Sequence, residues 1–399
     1  MTSTERISWD AASARRAERQ FPAGPAAAGT AADSVTGGVA DVVAAMRGAH
    51  AQVLSAAEVS IGVRAAGGVT RTHVRAALWE ERSLVKTYGP RGTVHLLPAR
   101  ELPLWSAALT SVPAGPSPFP PDVRLTDEQA GQVVTAIGDA LDGRYLTLDE
   151  LTEEVVARTG PWAGDRVMPA FQDMWPRWRQ VMHRAGWAGT LCFGPNRGRK
   201  ATYTRPAWAG AGSGAGAREA QDGLFTFVSR YLHAYGPATP AHFARWLAAP
   251  AGWATGLFRD MAAAGAVEEV DFEGTPAWVA AGDTEFPDGP ARGVRLLPYF
   301  DAYVIAGQPR ERLFPGEAYR RALAGGQAGN HPVLLVDGVV AGVWHQRRRG
   351  RRTTVTVEPL VRLTARQRRE LGEQAERVGE VLEATAELVL GRVEVGPHA

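Results

Sequence analysis

The sequence predicts an α+β protein: three tandem winged-helix units, then a small β-rich C-terminal domain (a partial barrel) and a long terminal helix. Stretches with helical periodicity are followed by a short hairpin three times in the same order. After about residue 286 short strand-like runs dominate, and the last stretch is helical again. In chain order we predict a flexible leader, the first and second units, a linker, the third unit and the C-terminal domain, at residues 1–38, 39–120, 121–208, 209–220, 221–285 and 286–399.

Composition bounds the class of protein. The 399 residues are 45% hydrophobic and 22% charged, which excludes a disordered chain, and no apolar run approaches the ~20 residues that a membrane helix needs. The single cysteine, Cys192, excludes a disulfide scaffold and a cysteine-rich metal site. Residues 1–20 lack an apolar signal core, so we expect a cytoplasmic protein.

Arginine dominates the basic residues. Lys86 and Lys200 are the two lysines, and the other 42 of the 44 basic residues are arginines, against 42 acidic residues. Arginine binds phosphate in a planar, two-pronged geometry, but a GC-rich genome would enrich arginine, glycine and proline together. Composition alone therefore does not show nucleic-acid binding.

The first unit follows a leader of residues 1–38, which is rich in Ala, Gly, Ser and Thr and has little apolar periodicity. Residues 39–82 have a helical pattern. Residues 84–97 have the pattern of two short strands around a Gly-Pro-Arg-Gly turn, which is typical of a hairpin.

The second unit repeats this outline. Residues 126–141 have a helical pattern, Thr147 and Glu150 form a capping box that starts another helix, and a Trp- and Met-rich helix is predicted at 167–185. A second hairpin is predicted at 189–203. Its Phe-Gly-Pro-Asn-Arg-Gly segment is similar to the Tyr-Gly-Pro-Arg-Gly turn of the first hairpin, which indicates a structural repeat.

The third unit follows a linker of Ala, Gly and Ser that we place at 209–217 within the 209–220 boundary. Helices are predicted at 224–234, at 240–247 after the capping residue Thr239, and at 253–264. A hairpin at 267–279 completes the unit.

The C-terminal domain has another pattern. Short runs separated by Gly and Asp predict five strands, at 294–297, 302–305, 333–336, 339–345 and 353–357. Residues 363–390 predict one long amphipathic helix that packs on these strands.

Cationic side chains gather at hairpin tips and on one helix, where they would neutralise DNA phosphates without reading sequence. Five arginines within six positions of one tip are costly to place together unless an anion binds them. The predicted DNA-binding residues are Arg71, Arg75, Arg91, Arg197, Arg199, Lys200, Arg347, Arg348, Arg349, Arg351 and Arg352.

Few residues suggest catalysis. His50 and Gln52 lie in the helical stretch, where residues two apart point roughly 200° away from each other, so a helix start or a break at Gly48 would be needed to bring them together. Asp301 is either catalytic or a turn-stabilising residue. The histidines lack metal-binding spacing, and no phosphate-binding glycine loop or nucleophile elbow is present, so we expect neither a metal nor a cofactor.

Together these segments resemble the AlkZ/YcaQ-like DNA glycosylases, bacterial proteins built from tandem winged helices. The resemblance covers residues 39–390 and rests on the segments 50–52, 84–97, 235–239, 296–301 and, most specifically, 336–344. Members carry a catalytic Gln-x-Gln or Gln-x-Asp motif on the first helix. The resemblance places His50 and Gln52 at its two positions, with histidine in place of the first glutamine.

The resemblance implies hydrolysis of the N-glycosidic bond of N-alkylated purines in double-stranded DNA, with bulky N7-alkylguanine adducts of a genotoxic natural product as substrates and self-resistance as the role. Gln52 would orient the attacking water, and His50 would accept its proton or hold it by a hydrogen bond. We expect little base flipping, with hairpin 346–352 near the lesion, and neither a membrane nor an obligate protein partner. Two alternatives stay open: a winged-helix regulator without enzymatic activity, and a protein that sequesters the toxic product.

Overall fold

The computed structural model describes residues 6–21, 38–115, 117, 119–170, 173–207, 217–323 and 325–396. Along these ranges helices alternate with strands, which form one five-stranded sheet, three three-stranded sheets and a two-stranded hairpin. The predicted α+β class is confirmed. In the described part of the chain every helix is too short or too polar to cross a lipid bilayer.

The N-terminal segment departs from the expected flexible leader. Arg6–Ile7 form a strand, β1, that pairs in parallel with a strand of the third unit, and Trp9–Gln20 form a helix, α1. The buried guanidinium of Arg16 donates hydrogen bonds to three backbone carbonyls, those of Gly236, Pro237 and Gln308. The prediction is wrong for residues 6–21 because this helix buries arginines on backbone acceptors, which leaves no apolar periodicity to detect. Residues 1–5 and 22–37 of the predicted leader lie outside the described residues.

The described first unit has four helices and a three-stranded antiparallel sheet of order β2-β4-β3. Its elements are α2 (Val39–Ala45), β2 (Ala49–His50), α3 (Leu54–Gly62), α4 (Arg71–Trp79), β3 (Leu84–Tyr88), β4 (Val94–Pro98) and α5 (Leu102–Thr110). The predicted hairpin is confirmed. The predicted helical stretch 39–82 is interrupted, because Arg47 and Gly48 have left-handed φ angles of 56° and 91° that end α2 and turn the chain into β2.

The second unit keeps its predicted start and hairpin. Its elements are α6 (Asp127–Leu141), β5 (Leu146–Thr147), α7 (Leu148–Thr159), β6 (Arg166–Pro169), β7 (Met174–Pro176), α8 (Met182–Trp187), β8 (Cys192–Arg197) and β9 (Lys200–Thr204). Thr147 caps α7, and the capping box with Glu150 is confirmed. The predicted helix 167–185 is wrong except near its end, since Pro169 and Pro176 cannot donate helical hydrogen bonds and the chain forms the β6–β7 hairpin instead.

The third unit matches its predicted order of elements. It consists of α9 (Ala217–Tyr235), α10 (Pro240–Leu247), α11 (Ala251–Ala263), β10 (Val267–Phe272) and β11 (Thr275–Ala280). Thr239 caps α10 as predicted. The predicted linker falls largely on residues 208–216, which lie outside the described residues, and residues 217–220 already belong to α9.

The C-terminal domain is a curled five-stranded sheet of order β12-β13-β14-β15-β16 with helices on both faces. Its elements are β12 (Val294–Leu297), α12 (Ala302–Ala306), α13 (Arg310–Leu313), α14 (Glu317–Ala322), β13 (Val333–Val336), β14 (Val339–Arg349), β15 (Arg352–Pro359), α15 (Ala365–Val381) and β16 (Thr385–Leu390). Two predictions are wrong. The strand predicted at 302–305 is a helix, because Asp301 caps it. The helix predicted at 363–390 ends at Val381, because Glu383 has a left-handed φ of 54° that turns the chain toward β16.

The first unit and the C-terminal domain share a packed boundary. Val59 of α3 lies in the same apolar core as Trp344 and the α15 residue Val378. Gly62 of α3 lies so close to Val381 that a Cβ atom at Gly62 would be 2.4 Å from a Val381 methyl carbon. This close packing brings the chain that precedes α3, which includes His50 and Gln52, to the edge of the C-terminal domain.

Candidate active site between the first unit and the C-terminal domain

His50 lies in the short strand β2, not on a helix. It pairs with His95 of β4 in an antiparallel register, and the next residue, Ala51, extends the ladder by donating its N–H to the Val94 carbonyl at 2.7 Å. β2 ends at His50, and Gln52 lies in the bend that follows. The two residues are therefore not held on opposite sides, as they would be on one helix.

Two rings enclose the His50 imidazole. Phe300 stacks on it with ring centroids 4.6 Å apart and an interplanar angle of 27°, and His95 meets it edge-on at 4.9 Å. Phe300 comes from the loop between β12 and α12, so the C-terminal domain covers a side chain of the first unit. His50 is only 9% exposed as a result.

Burial decides the charge of this site. Burial and the nearby Arg91 cation lower the pKa of His50 to about 3, so its imidazole is neutral at physiological pH. The pKa of His95 also lies well below its usual value, mainly through burial, and its Nδ1 donates to the Thr93 carbonyl at 2.9 Å. Within the described residues the buried Nδ1 of His50 has no hydrogen-bond partner.

Gln52 differs from His50 in being exposed. It lies in a bend two residues before α3, followed by Val53, which is 44% exposed. Among the described residues no hydrogen bond to the Gln52 amide is found, so the amide is available to solvent or to a ligand. A neutral imidazole with an unpartnered nitrogen and a free amide two residues away can hold a water molecule by hydrogen bonds.

Asp301, which follows Phe300, is a positioning residue in this arrangement. Its carboxylate receives two hydrogen bonds of 2.7 Å from the Arg64 guanidinium and one of 2.5 Å from the Ser60 hydroxyl, and all these groups are buried. Its Oδ1 also accepts the Tyr303 N–H at 3.0 Å and so caps α12. Of the two roles predicted for Asp301, this geometry favours the stabilising one.

The tip of the β14–β15 hairpin is a strongly cationic surface. The strands meet at a two-residue turn with Gly350 at φ 60°. The five arginines around it are exposed and, within the described residues, form no ion pair. They are the predicted residues Arg347, Arg348, Arg349, Arg351 and Arg352.

Other predicted DNA-binding residues have protein partners. Arg71 and Arg75 of α4 flank the buried carboxylate of Glu58, and Arg75 lies 2.6 Å from it. Arg91, at φ 61° in the first hairpin turn, is half-buried and donates to the Trp246 carbonyl at 2.7 Å. These contacts orient the three arginines within the protein.

The second hairpin is partly neutralised. Arg197 pairs with Glu150, and Lys200 pairs with Asp149, each at 2.7 Å, although both cations remain more than half exposed. Arg199 is exposed and has no ion pair among the described residues. The net positive charge at this tip is therefore smaller than its sequence indicates.

Sequence reasoning missed two arginines in the neighbourhood of Arg91, the cation that acts on His50. Arg310 is half-buried and donates to the carbonyls of Val304 and Ile305; burial, with Arg245 and Arg91 nearby, lowers its pKa to about 10. Arg245 of α10 is exposed, and no ion pair is found for it within the described ranges. A signal was present, since α10 contains no acidic residue that would pair with Arg245.

Among the described residues we find neither a metal site nor a reactive thiol. No group of three or more His, Cys, Asp or Glu side chains there is arranged to hold a metal ion. Burial raises the pKa of the Cys192 thiol to about 12, which keeps it protonated and unreactive.

Comparison with known proteins identifies the family of this chain. Residues 43–381 match the family described as DNA glycosylase AlkZ-like. A curated relative from Streptomyces sahachiroi, named "Interstrand DNA cross-link repair glycosylase", is 32% identical over 310 residues, which span 76% of this chain and 81% of the relative. The structure of Streptomyces sahachiroi DNA glycosylase AlkZ has a TM-score of 0.72 at 29% identity and covers 96% of this chain and 100% of that one. The resemblance stated from sequence is confirmed, and the chain belongs to the AlkZ-like DNA glycosylase family.

Proposed function

We propose that this protein is a monofunctional DNA glycosylase that hydrolyses the N-glycosidic bond of N-alkylated purines, with bulky N7-alkylguanine adducts as substrates and His50 and Gln52 as catalytic residues. One observation carries the proposal: a neutral, buried imidazole with an unpartnered Nδ1 lies two residues from a free amide. Membership of a DNA glycosylase family supports the reaction type.

The chemistry suits a neutral site. An N7-alkylguanine is already cationic, so breaking its C1′–N9 bond sends the electron pair into the base, which leaves as neutral N7-alkylguanine. The sugar carries the positive charge in the transition state, and a protonated histidine would oppose it by like-charge repulsion. In our proposal Gln52 orients a water, and neutral His50 holds the same water by accepting a hydrogen bond from it. The water oxygen attacks C1′ as the C1′–N9 bond breaks, and the released proton passes to bulk water, because the low pKa of His50 makes it a weak base.

Hydrolysis without strand cleavage fits the placement of the lysines. In the sheet register His50, His95 and Thr87 share one face, whereas Lys86 pairs with Leu96 on the other. Lys86 lies over the Phe193 ring, 4.8 Å from its centroid. Among the described residues no lysine amine shares the face of His50, which supports water as the nucleophile.

DNA would lie along the cationic surfaces. We interpret the three helix-and-hairpin units as winged helices that contact the duplex backbone, with the Arg347–Arg352 hairpin tip near the lesion. Arg245 and Arg199, which are exposed and have no ion pair within the described residues, are further candidates for phosphate contacts. Because Phe300 and His95 already cover His50, the site leaves little room for a flipped base, which supports excision of bulky adducts from within the duplex.

The substrate class extends to cross-links. The Streptomyces sahachiroi relative is named for interstrand cross-link repair. We propose that this chain acts on the same class of damage, and that its role is self-resistance to a genotoxic natural product that alkylates guanine N7.

The test is single-turnover excision from three duplexes, which carry N7-methylguanine, an N7-guanine nitrogen-mustard monoadduct, or the corresponding mustard interstrand cross-link. Abasic product from wild type, reduced at least about 100-fold in His50→Ala and Gln52→Ala, would support the proposal. The matched control is Gln132→Ala, which removes an exposed amide on α6 and should excise like wild type.

The same assay separates the alternatives. If wild type excises none of the three lesions but still binds DNA tightly and in a salt-sensitive way, the proposed glycosylase activity is wrong and a regulator is favoured. Excision that is equal in wild type and both variants would keep the enzyme but remove His50 and Gln52 from its mechanism. Excision of the mustard adduct without the methyl adduct would support the proposed preference for bulky lesions.

A further inference from the structure

Phe300 has a backbone conformation that its side chain does not favour. Its φ is 55°, in the left-handed region that bulky residues rarely adopt. Its N–H donates to the Gly329 carbonyl at 2.9 Å, and Gly329 lies so close that a Cβ atom there would be 3.1 Å from the Phe300 Cα. A conformation that costs free energy persists only where the surrounding structure enforces it, and such residues cluster at functional sites.

The contacts that enforce this conformation come from α3 and from the turn that follows this helix. Ser60 of α3 and Arg64, two residues after its end, hold the Asp301 carboxylate at 2.5–2.7 Å, directly after Phe300 in the chain. The same helix begins two residues after Gln52. α3 and the turn after it therefore connect Gln52 to the carboxylate that anchors the Phe300 loop, and the Phe300 ring stacks on His50.

We infer that Phe300 is a positioning residue for base excision, whose ring fixes the orientation of the His50 imidazole and covers one face of it against bulk solvent, and that the Arg64–Asp301 pair holds the ring in place. This inference rests on the proposed function, because it assigns His50 its catalytic role. No residue of the sequence motif supplies this contact, since the ring comes from the C-terminal domain.

The shielding has an electrostatic consequence. The groups that face His50 are Phe300 from the C-terminal domain, His95 from β4 and the Arg91 cation from the first hairpin turn. Burial is the largest cause that lowers the pKa of His50, and Arg91 is the second. Removing the Phe300 ring admits water and weakens the larger cause, so the pKa of His50 should rise toward its usual value of about 6.5.

The experiment compares wild type, Phe300→Ala and Phe300→Tyr. Single-turnover excision of the N7-guanine mustard monoadduct is measured between about pH 5 and pH 8, and the His50 ring proton is titrated by NMR in the free enzyme. Wild type should excise with less than about a twofold change over this range, and its His50 should not titrate. Phe300→Ala should lose several-fold in rate at pH 5 relative to pH 8, with His50 titrating between about pH 5 and pH 6.5 because Arg91 still lowers its pKa. Phe300→Tyr keeps the ring and should behave like wild type.

Phe225→Ala is the matched control, because it removes a half-buried ring on α9 and should leave the pH profile flat. A Phe300→Ala enzyme with a flat pH profile and an untitrating His50 would overturn the inference, as would an equal loss of rate at every pH. The NMR titration needs no turnover. A wild type that excises nothing while its His50 responds to Phe300→Ala would therefore overturn the proposed function and leave the shielding by Phe300 intact.

Discussion

The buried Arg64–Asp301 pair offers the sharpest test of how the C-terminal domain is fixed to the first unit. Both side chains are 0% exposed, and two hydrogen bonds of 2.7 Å join them. Arg64→Leu leaves the Asp301 carboxylate buried with only the Ser60 hydroxyl as a side-chain donor. Removing one partner of such a pair costs about 3–5 kcal/mol, because the remaining charge is desolvated without compensation. We expect a loss of this size in the free energy of unfolding.

The matched variant is Asp301→Ser, which keeps a capping oxygen for α12 but leaves the buried Arg64 cation without its carboxylate. It should lower the free energy of unfolding by about the same amount as Arg64→Leu. The double variant Arg64→Leu/Asp301→Ser contains neither buried charge and should lose only about 1–2 kcal/mol, well short of the sum of the single losses. Equilibrium urea unfolding, followed by tryptophan fluorescence and circular dichroism, measures all four proteins. Single losses below about 1 kcal/mol, or losses that add in the double variant, would refute the assigned role of the pair.

Three further predictions follow from the structure. His50 and His95 have pKa values lowered by burial, so below about pH 6.5 the unfolded chain binds protons that the folded chain does not; the Tm should fall between about pH 6.5 and pH 4, and a Tm that rises on acidification would contradict this. Arg16→Met should lower the free energy of unfolding by about 3 kcal/mol, because it leaves three buried carbonyls without donors, and an unchanged urea midpoint would show that α1 is dispensable. Replacing the arginines of the Arg347–Arg352 tip with glutamine should reduce the slope of log K against log [salt] for duplex binding by about 0.9 for each lost phosphate contact, measured by anisotropy; an unchanged slope, equal to that of an Arg259→Gln control, would exclude the tip from the DNA interface.

Local signals located most elements correctly where the decisive contacts are local. The three hairpins follow from Gly-containing turns between strand-like runs, and the predicted caps Thr147 and Thr239 bond within their own first helical turns. The errors arise where a distant residue decides. Val304 and Ile305 favour a strand by β-propensity, but Asp301, held by Arg64, caps a helix there.

The candidate site also divides into residues that local sequence identifies and residues that only distant contacts bring in. His50, Gln52 and the arginine-rich tip could be named from the sequence, because the motif and the charge run are contiguous. Phe300 could not be assigned to the site, because its stack on His50 depends on packing between segments 250 residues apart in the chain. The sequence does not reveal the protein partners of Arg71, Arg75 and Arg91. These partners, Glu58 and the Trp246 carbonyl, lie on other elements.

By itself the sequence determined the α+β class, the order of the helix-and-hairpin units, the family resemblance and the residue types available for chemistry. Only the tertiary structure decided the state of those residues. An isolated histidine has a pKa of about 6.5, and the value of about 3 for His50 exists because Phe300, His95 and Arg91 surround it in the folded chain. The physical reason is that residue type and local pattern are properties of neighbouring positions in the chain, whereas burial and electrostatic environment are properties of neighbours in space.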